Sequence, residues 1–128
     1  MSHWAKVTTE IKDITVLRDA LRQLDPEIQL LEGGTARGHE NRGDMDYVIR
    51  LRGQYDIGLK QGVGFNAPYE LHFDSYGGHI DREVGANCTR LLQAYAEVKI
   101  TKEARRKGLS VQRTTSDDGK IRLTVREF

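Results

Sequence analysis

The densest run of chemistry-bearing side chains is Glu70-Leu71-His72-Phe73-Asp74, followed closely by His79-Ile80-Asp81. On a strand Glu70, His72 and Asp74 point to one face. An imidazole beside carboxylates can hold a borderline divalent ion. Such a site needs three or four ligands at about 2.0–2.2 Å, and the flexible Gly77-Gly78 pair leaves His79 unplaced. The competing reading makes His72, Asp74 and Glu70 the solvent-facing side of an amphipathic strand. We take that second reading and expect no bound metal or cofactor, with His72, Asp74 and His79 as the residues to check.

Cys88 becomes a nucleophile only if a neighbouring base depresses its pKa. Its place on an apolar helical stripe makes it a small buried hydrophobe instead. Gly62-Val63-Gly64 is a poor phosphate cradle, because a dinucleotide fingerprint sits between a strand and a helix, whereas Pro68 and a strand follow here. The sequence contains no Walker lysine motif, CxxC pair or Ser-His-Asp ordering. His3, beside the terminal amine, is a conceivable copper chelator, but with Trp4 it reads as the edge of a strand that buries its indole.

Basic residues gather late in the chain. Lys99, Lys102, Arg105, Arg106 and Lys107 are followed by Arg113, Arg122 and Arg126, with Tyr95 and Phe128 as aromatic neighbours for base stacking. Residues 1–98 hold 11 Lys/Arg against 15 Asp/Glu, and residues 99–128 hold 9 against 4. This is a nucleic-acid candidate, yet the aromatic content of 7% and the pI of 7.9 fall short of the usual footprint. Half of an internally complementary surface is the simpler account.

The elements that must carry these groups are readable. With 128 residues, 38% hydrophobic and 30% charged, the chain suits one globular domain spanning 1–128. One cysteine excludes an internal disulfide, no apolar run reaches the ~20 residues of a membrane span, and the N-terminus lacks a signal-peptide core. A cytoplasmic, reducing compartment is expected. Alternation predicts a strand from Trp4 towards Ile11. Asp13 then caps a helix over 14–25, whose stripe is Ile14, Leu17, Leu21 and Leu24, stopped by Asp25-Pro26.

Ile28 to Leu31 predicts a second strand, and the polar, glycine-rich 33–44 a mobile loop. Strands at 47–51 and 55–59 turn near Arg52–Gln54, and another covers 69–74. A second helix follows Gly77-Gly78, with Asp81 as a cap and Gly108 as its end. Its length suggests a break near Glu97–Thr101. Asp118-Gly119 joins a last hairpin through a two-residue turn. The fold class is α+β: a mainly antiparallel sheet with two helices on one face, in the order βαββββαββ. Segments 2–52 and 69–127 each read βαββ, a pseudo-duplication in element order.

The opening MSHW, YDIG at 55–58, YEL at 69–71, QAYA at 93–96, Gly108-Leu109-Ser110-Val111 and DGKIRLTV at 118–125 occur together in this order. In this the chain resembles the family of hypothetical chloroplast reading frames of plastids, cyanobacteria and other bacteria, a domain of unknown function. It departs in the longer, more polar loop 33–44 and in the glycine-rich 75–79. The resemblance implies an accessory or adaptor protein that binds a partner in a larger assembly, with an AAA+ ATPase as candidate partner. No catalytic residue is expected. The partner-binding groups we single out are Tyr55 and Asp56 at a strand edge, Lys102, Arg105 and Arg106 at the helix end, and Arg37 and Arg42 in the loop. A nucleic-acid-binding domain and a metal-dependent enzyme are the alternatives.

Overall fold

The structure is a computed structural model and describes residues 2–127. The elements follow the expected order: β1 (Trp4–Thr8), α1 (Ile14–Leu24), β2 (Gln29–Glu32), β3 (Tyr47–Arg50), β4 (Asp56–Gln61), β5 (Tyr69–Asp74), α2 (His79–Val84), α3 (Thr89–Arg106), β6 (Leu109–Thr115) and β7 (Ile121–Glu127). The fold is α+β. The chain divides into two compact units, one ending at Tyr95 and one beginning at Ala96, so the boundary falls inside α3.

In the first unit five strands form one sheet in the order β1-β5-β4-β3-β2, every neighbouring pair antiparallel. Register sorts the side chains into two faces, because alternate residues point opposite ways. Ala5, Phe73, Ile57 and Ile49 stand in one row, and Val7, Leu71, Leu59 and Tyr47 in the next. This face is apolar, and on it α1 and α2 bury their stripes, Val16, Leu17, Ala20 and Leu21 from α1 and Ile80 and Val84 from α2. Asp13 starts α1 as expected, its carboxylate accepting from the backbone N–H of Thr15 at 2.9 Å and Val16 at 3.2 Å. The Tyr95 hydroxyl accepts from the N–H groups of Lys12 and Asp13, fixing the approach to that cap.

The opposite face carries Trp4, Lys6, Glu70, His72, Asp74, Asp56, Gly58 and Val48. It is not left to water. Residues 33–46, which include the 33–44 expected to be a mobile loop, fold down over it as a second layer. Ala36 and Met45 are buried with Val48, and Trp4 packs against the three. Backbone pairing closes the segment on itself, with Ala36 and Arg42 exchanging hydrogen bonds at 2.9 and 3.0 Å and Gly33 donating to Asp46 at 2.8 Å. Two close approaches require glycine. A Cβ at Gly58 would occupy the space of the Met45 thioether, and one at Gly38 would come within 2.9 Å of both the Asp74 Cβ and the Trp4 ring.

The second helical segment is broken, though not at Glu97–Thr101. The break is at Gly85–Cys88, where Gly85, Asn87 and Cys88 have φ of 82°, 54° and 59°. Three left-handed residues in four cannot continue a right-handed helix, and α3 then runs unbroken from Thr89 to Arg106. Asp81 lies in the first turn of α2, while Gly78 occupies the cap position. Gly108 ends α3 with φ of 74°, as expected.

In the second unit β6 and β7 pair from Leu109↔Glu127 to Thr115↔Ile121 as a separate two-stranded sheet. The element order of the first half is thus repeated without its strand pairing, since β2–β3 is built into the large sheet. The turn has three residues instead of two. Ser116 donates to Lys120, Gly119 donates back to Ser116, and Gly119 takes φ of 83°, the geometry of a tight turn closed by a left-handed residue. Arg113 pairs with Glu97 at 2.6 Å within this unit.

The Asp74 carboxylate and the Trp4 ring both stand within 3.0 Å of where a Cβ at Gly38 would lie. Gly38→Ala is expected to lower stability by about 1–3 kcal/mol, measured by urea unfolding; an unchanged midpoint would show that residues 33–46 do not lie on the sheet.

Candidate functional site

Asp56 and Asp74 are both 0% exposed and project from central strands towards the covering segment. A buried carboxylate is costly unless its oxygens are hydrogen-bonded, and here both are. Asp74 accepts from the backbone N–H of His3 at 2.8 Å, His39 at 2.9 Å and Tyr76 at 3.0 Å. Burial alone would raise its pKa, but these N–H donors together with the Ser2 hydroxyl hold it below the ordinary value. Asp56 accepts from the Arg37 backbone N–H at 2.9 Å and from Nε and Nη2 of the Arg37 guanidinium at 2.9–3.1 Å. Arg37 also donates to the Gly53 carbonyl at 3.1 Å. One carboxylate therefore ties together three chain segments, and the other fixes residue 37 to β4.

These bonds decide several expectations. Tyr55 and Asp56 are buried, because β4 lies between β3 and β5 and offers no strand edge. Burial pushes the Tyr55 pKa up, and its ring lies 4.5 Å from that of His79. Arg37 holds the covering segment down, while Arg42 lies on the surface over the Trp4 ring at 4.8 Å. Lys102, Arg105 and Arg106 occupy the last turns of α3, with Arg105 and Arg106 exposed. Phe128 lies outside the described residues.

The residues considered for metal do not converge. His72 and Asp74 share a face as expected, but Asp74 is committed to backbone donors and His79 stands on α2. Among the described residues no three His, Cys, Asp or Glu side chains are placed to hold an ion. His72 is half-buried beside Glu70, with Nε2 3.6 Å from its carboxylate. Burial outweighs that carboxylate and keeps the imidazole pKa below its usual value. Cys88 is buried, and desolvation, with Asp81 nearby, pushes its thiol up to about 12. It is a packing residue at neutral pH.

The feature that sequence reasoning missed is the β4–β5 tip. Val63 and Phe65 are 105% and 103% exposed. Their support is ordered. Gly62 donates to the Pro68 carbonyl at 2.9 Å, the Gln61 backbone donates to the Asp46 carboxylate at 2.8 Å, and the Gln61 amide donates to Ala67 at 3.2 Å. Gly64 and Asn66 take left-handed φ of 110° and 55° and turn the chain between the two apolar residues. The signal was available: Val and Phe alternate with Gly and Asn in GVGFN, which puts apolar side chains where turn chemistry forbids a core.

The first unit is thus an antiparallel five-stranded sheet whose two buried acids are engaged by backbone N–H groups and by the Arg37 guanidinium. The chain belongs to the family described as "Protein of unknown function (DUF1257)", whose model matches residues 20–124. Among curated relatives it is similar to "Uncharacterized protein ycf35" of Pyropia yezoensis, 26% identical over 129 residues and covering 100% of this chain and 98% of the relative. The protein of the same name from Guillardia theta is 28% identical over 130 residues, with the same coverage. The expected resemblance to hypothetical chloroplast reading frames is thereby confirmed. No solved structure matches, and among the described residues no helix is long and apolar enough to cross a membrane.

Asp74→Ala leaves the backbone N–H groups of His3, His39 and Tyr76 without their acceptor and is expected to cost about 1–2 kcal/mol. Because the folded pKa lies below the unfolded one, the carboxylate's contribution is complete above about pH 4 and disappears as the pH falls through the folded value. Urea midpoints against pH should therefore show a steeper acid loss in the parent protein than in Asp74→Asn. For Cys88, native protein should resist iodoacetamide at about pH 8 while urea-unfolded protein is alkylated stoichiometrically. Equal rates, read by mass spectrometry, would show an accessible thiol.

Proposed function

We propose that this protein is a non-catalytic adaptor that docks on a partner protein through the β4–β5 tip. The observation that carries the reading is the full exposure of Val63 and Phe65 on a hydrogen-bonded support. Each such side chain gains roughly 1.5–3 kcal/mol on leaving water, and an ordered support lowers the entropy cost of docking. Two anchors flanked by turn residues match the way a few apolar contacts dominate a protein interface. The AAA+ ATPase implied by the family resemblance is the partner class to test first. A reducing, cytoplasmic-type compartment fits a single, buried and high-pKa thiol.

A nucleic-acid role is the second reading. It is favoured by Arg122 and Arg126, which stand on the same face of β7, opposite Thr114 and Ser110 of β6. Binding of that kind weakens steeply with salt and should disappear with Arg122→Glu and Arg126→Glu.

A photo-crosslinking residue at position 65 is expected to capture an AAA+ ATPase in cells of the source type, whereas the same residue at position 120 is not. Phe65→Ser should weaken that complex by about 30-fold or more with little change in unfolding midpoint. Crosslinks at 65 no richer in protein than those at 120 would overturn the reading.

A further inference from the structure

A second surface of the first unit has different chemistry. Beside α2 and the start of α3 lies an open groove of about 580 Å³ whose lining includes Arg52, Arg82, Arg90 and His79 above Leu24 and Ile28. Its acids are already matched. Asp25 pairs with Arg52 at 3.3 Å, and Arg52 also reaches Glu27 at 3.0 Å. Glu83 accepts from the backbone N–H groups of Arg52 at 2.9 Å and Gly53 at 3.1 Å, on the turn to which Arg37 is bonded.

Arg82 and Arg90 are left over. Arg82 donates through Nη1 to the Gly77 carbonyl at 3.0 Å and through Nη2 to Nδ1 of His79 at 3.1 Å. Arg90 donates through Nη2 to the Arg82 carbonyl at 2.9 Å. Each guanidinium is therefore held by neutral acceptors, and among the described residues neither makes an ion pair with a carboxylate. A guanidinium has five N–H donors, so both keep unused donors in fixed positions. Because Arg82 can only donate, Nδ1 of His79 is the acceptor in this contact.

The backbone is shaped around these side chains. Gly85, with φ of 82°, lies so close to Arg90 that a Cβ would stand 3.3 Å from its backbone nitrogen and 3.6 Å from its Nε. Gly77, with φ of 72°, faces the His79 ring in the same way, at 3.0 Å. The left-handed glycines at 77 and 85 thus lie against His79 and Arg90, the two residues bonded to Arg82.

We propose that this groove binds a phosphate monoester, its dianionic phosphate held by Arg82 and Arg90 and its organic part lying on Leu24 and Ile28. Among the described residues neither guanidinium is taken up by a carboxylate, and the planar fork of each suits adjacent phosphate oxygens. The groove is far larger than inorganic phosphate, which leaves space for the organic group. The site is independent of the β4–β5 tip and does not rest on the adaptor reading.

Calorimetric titration of the full chain with phenyl phosphate, inorganic phosphate and benzoate tests the assignment. Saturable binding of phenyl phosphate at about 1 mM or tighter is expected, weaker binding of inorganic phosphate, and at least about tenfold weaker binding of the monoanion benzoate. Arg90→Gln should raise the phenyl phosphate Kd about tenfold or more, while Lys120→Gln, which does not line the groove, leaves it unchanged. Arg82→Gln should do the same as Arg90→Gln; because Arg82 also holds Gly77, only its effect at an unchanged unfolding midpoint is counted. No saturation, benzoate binding as tight as phenyl phosphate, or a Kd unmoved by Arg90→Gln would overturn the proposal.

Discussion

The first unit depends on two carboxylates that never reach water. A sheet with helices on one face leaves its other face open, and the segment available to close it, residues 33–46, has few apolar side chains of its own. Ala36 and Met45 alone bury too little surface to hold fourteen residues in place. Asp56 and Asp74 supply the missing attraction through charge-assisted bonds to backbone N–H groups, which are shorter and stronger than neutral ones. Desolvating each acid is costly, and only near-complete hydrogen bonding offsets it. The same bonds order the N-terminus, the covering segment and the start of the helical region around a single β5 residue.

This arrangement explains why functional groups are sparse in the interior. The acids that a catalytic reading would recruit are engaged as acceptors, the thiol is desolvated, and burial holds the half-buried imidazole below its usual pKa. The surfaces we propose for recognition are an apolar tip on a hydrogen-bonded support and a groove with two arginines outside any ion pair among the described residues. The two differ in chemistry and do not share residues.

Much of the scaffold could be read from the chain. Asp13 and Asp25-Pro26 bound α1 because capping and proline geometry are local, and the strands were located to within about three residues, the largest miss being β1, expected to reach Ile11 and ending at Thr8. The covering segment is the loop that GGTARGHENRGD announces, but its packing on the sheet was not legible because its cohesion comes from residues far away in sequence. A subtler signal was present in the strands. Asp56 and Gly58 stand in a strand that proves central, where an acid needs a buried partner and a glycine implies something pressed against it. The helix break was misplaced for a similar reason: length suggested a midpoint, whereas Gly85 and Asn87, the two residues most tolerant of left-handed geometry, marked the true position. The tip was overlooked because apolar residues were sought only where they could pack.

The pairing of β1 with β5 has an outcome for biosynthesis. Trp4 meets Asp74 across some seventy residues of chain, so the strand made first has no partner until β5 has left the ribosome. Until then the nascent polypeptide carries an unpaired edge, and Asp74 has none of its acceptor role to perform. Closing so long a loop is entropically slow. Sheet completion is therefore a late event in the maturation of this domain, and the interval before it is when chaperone protection matters most.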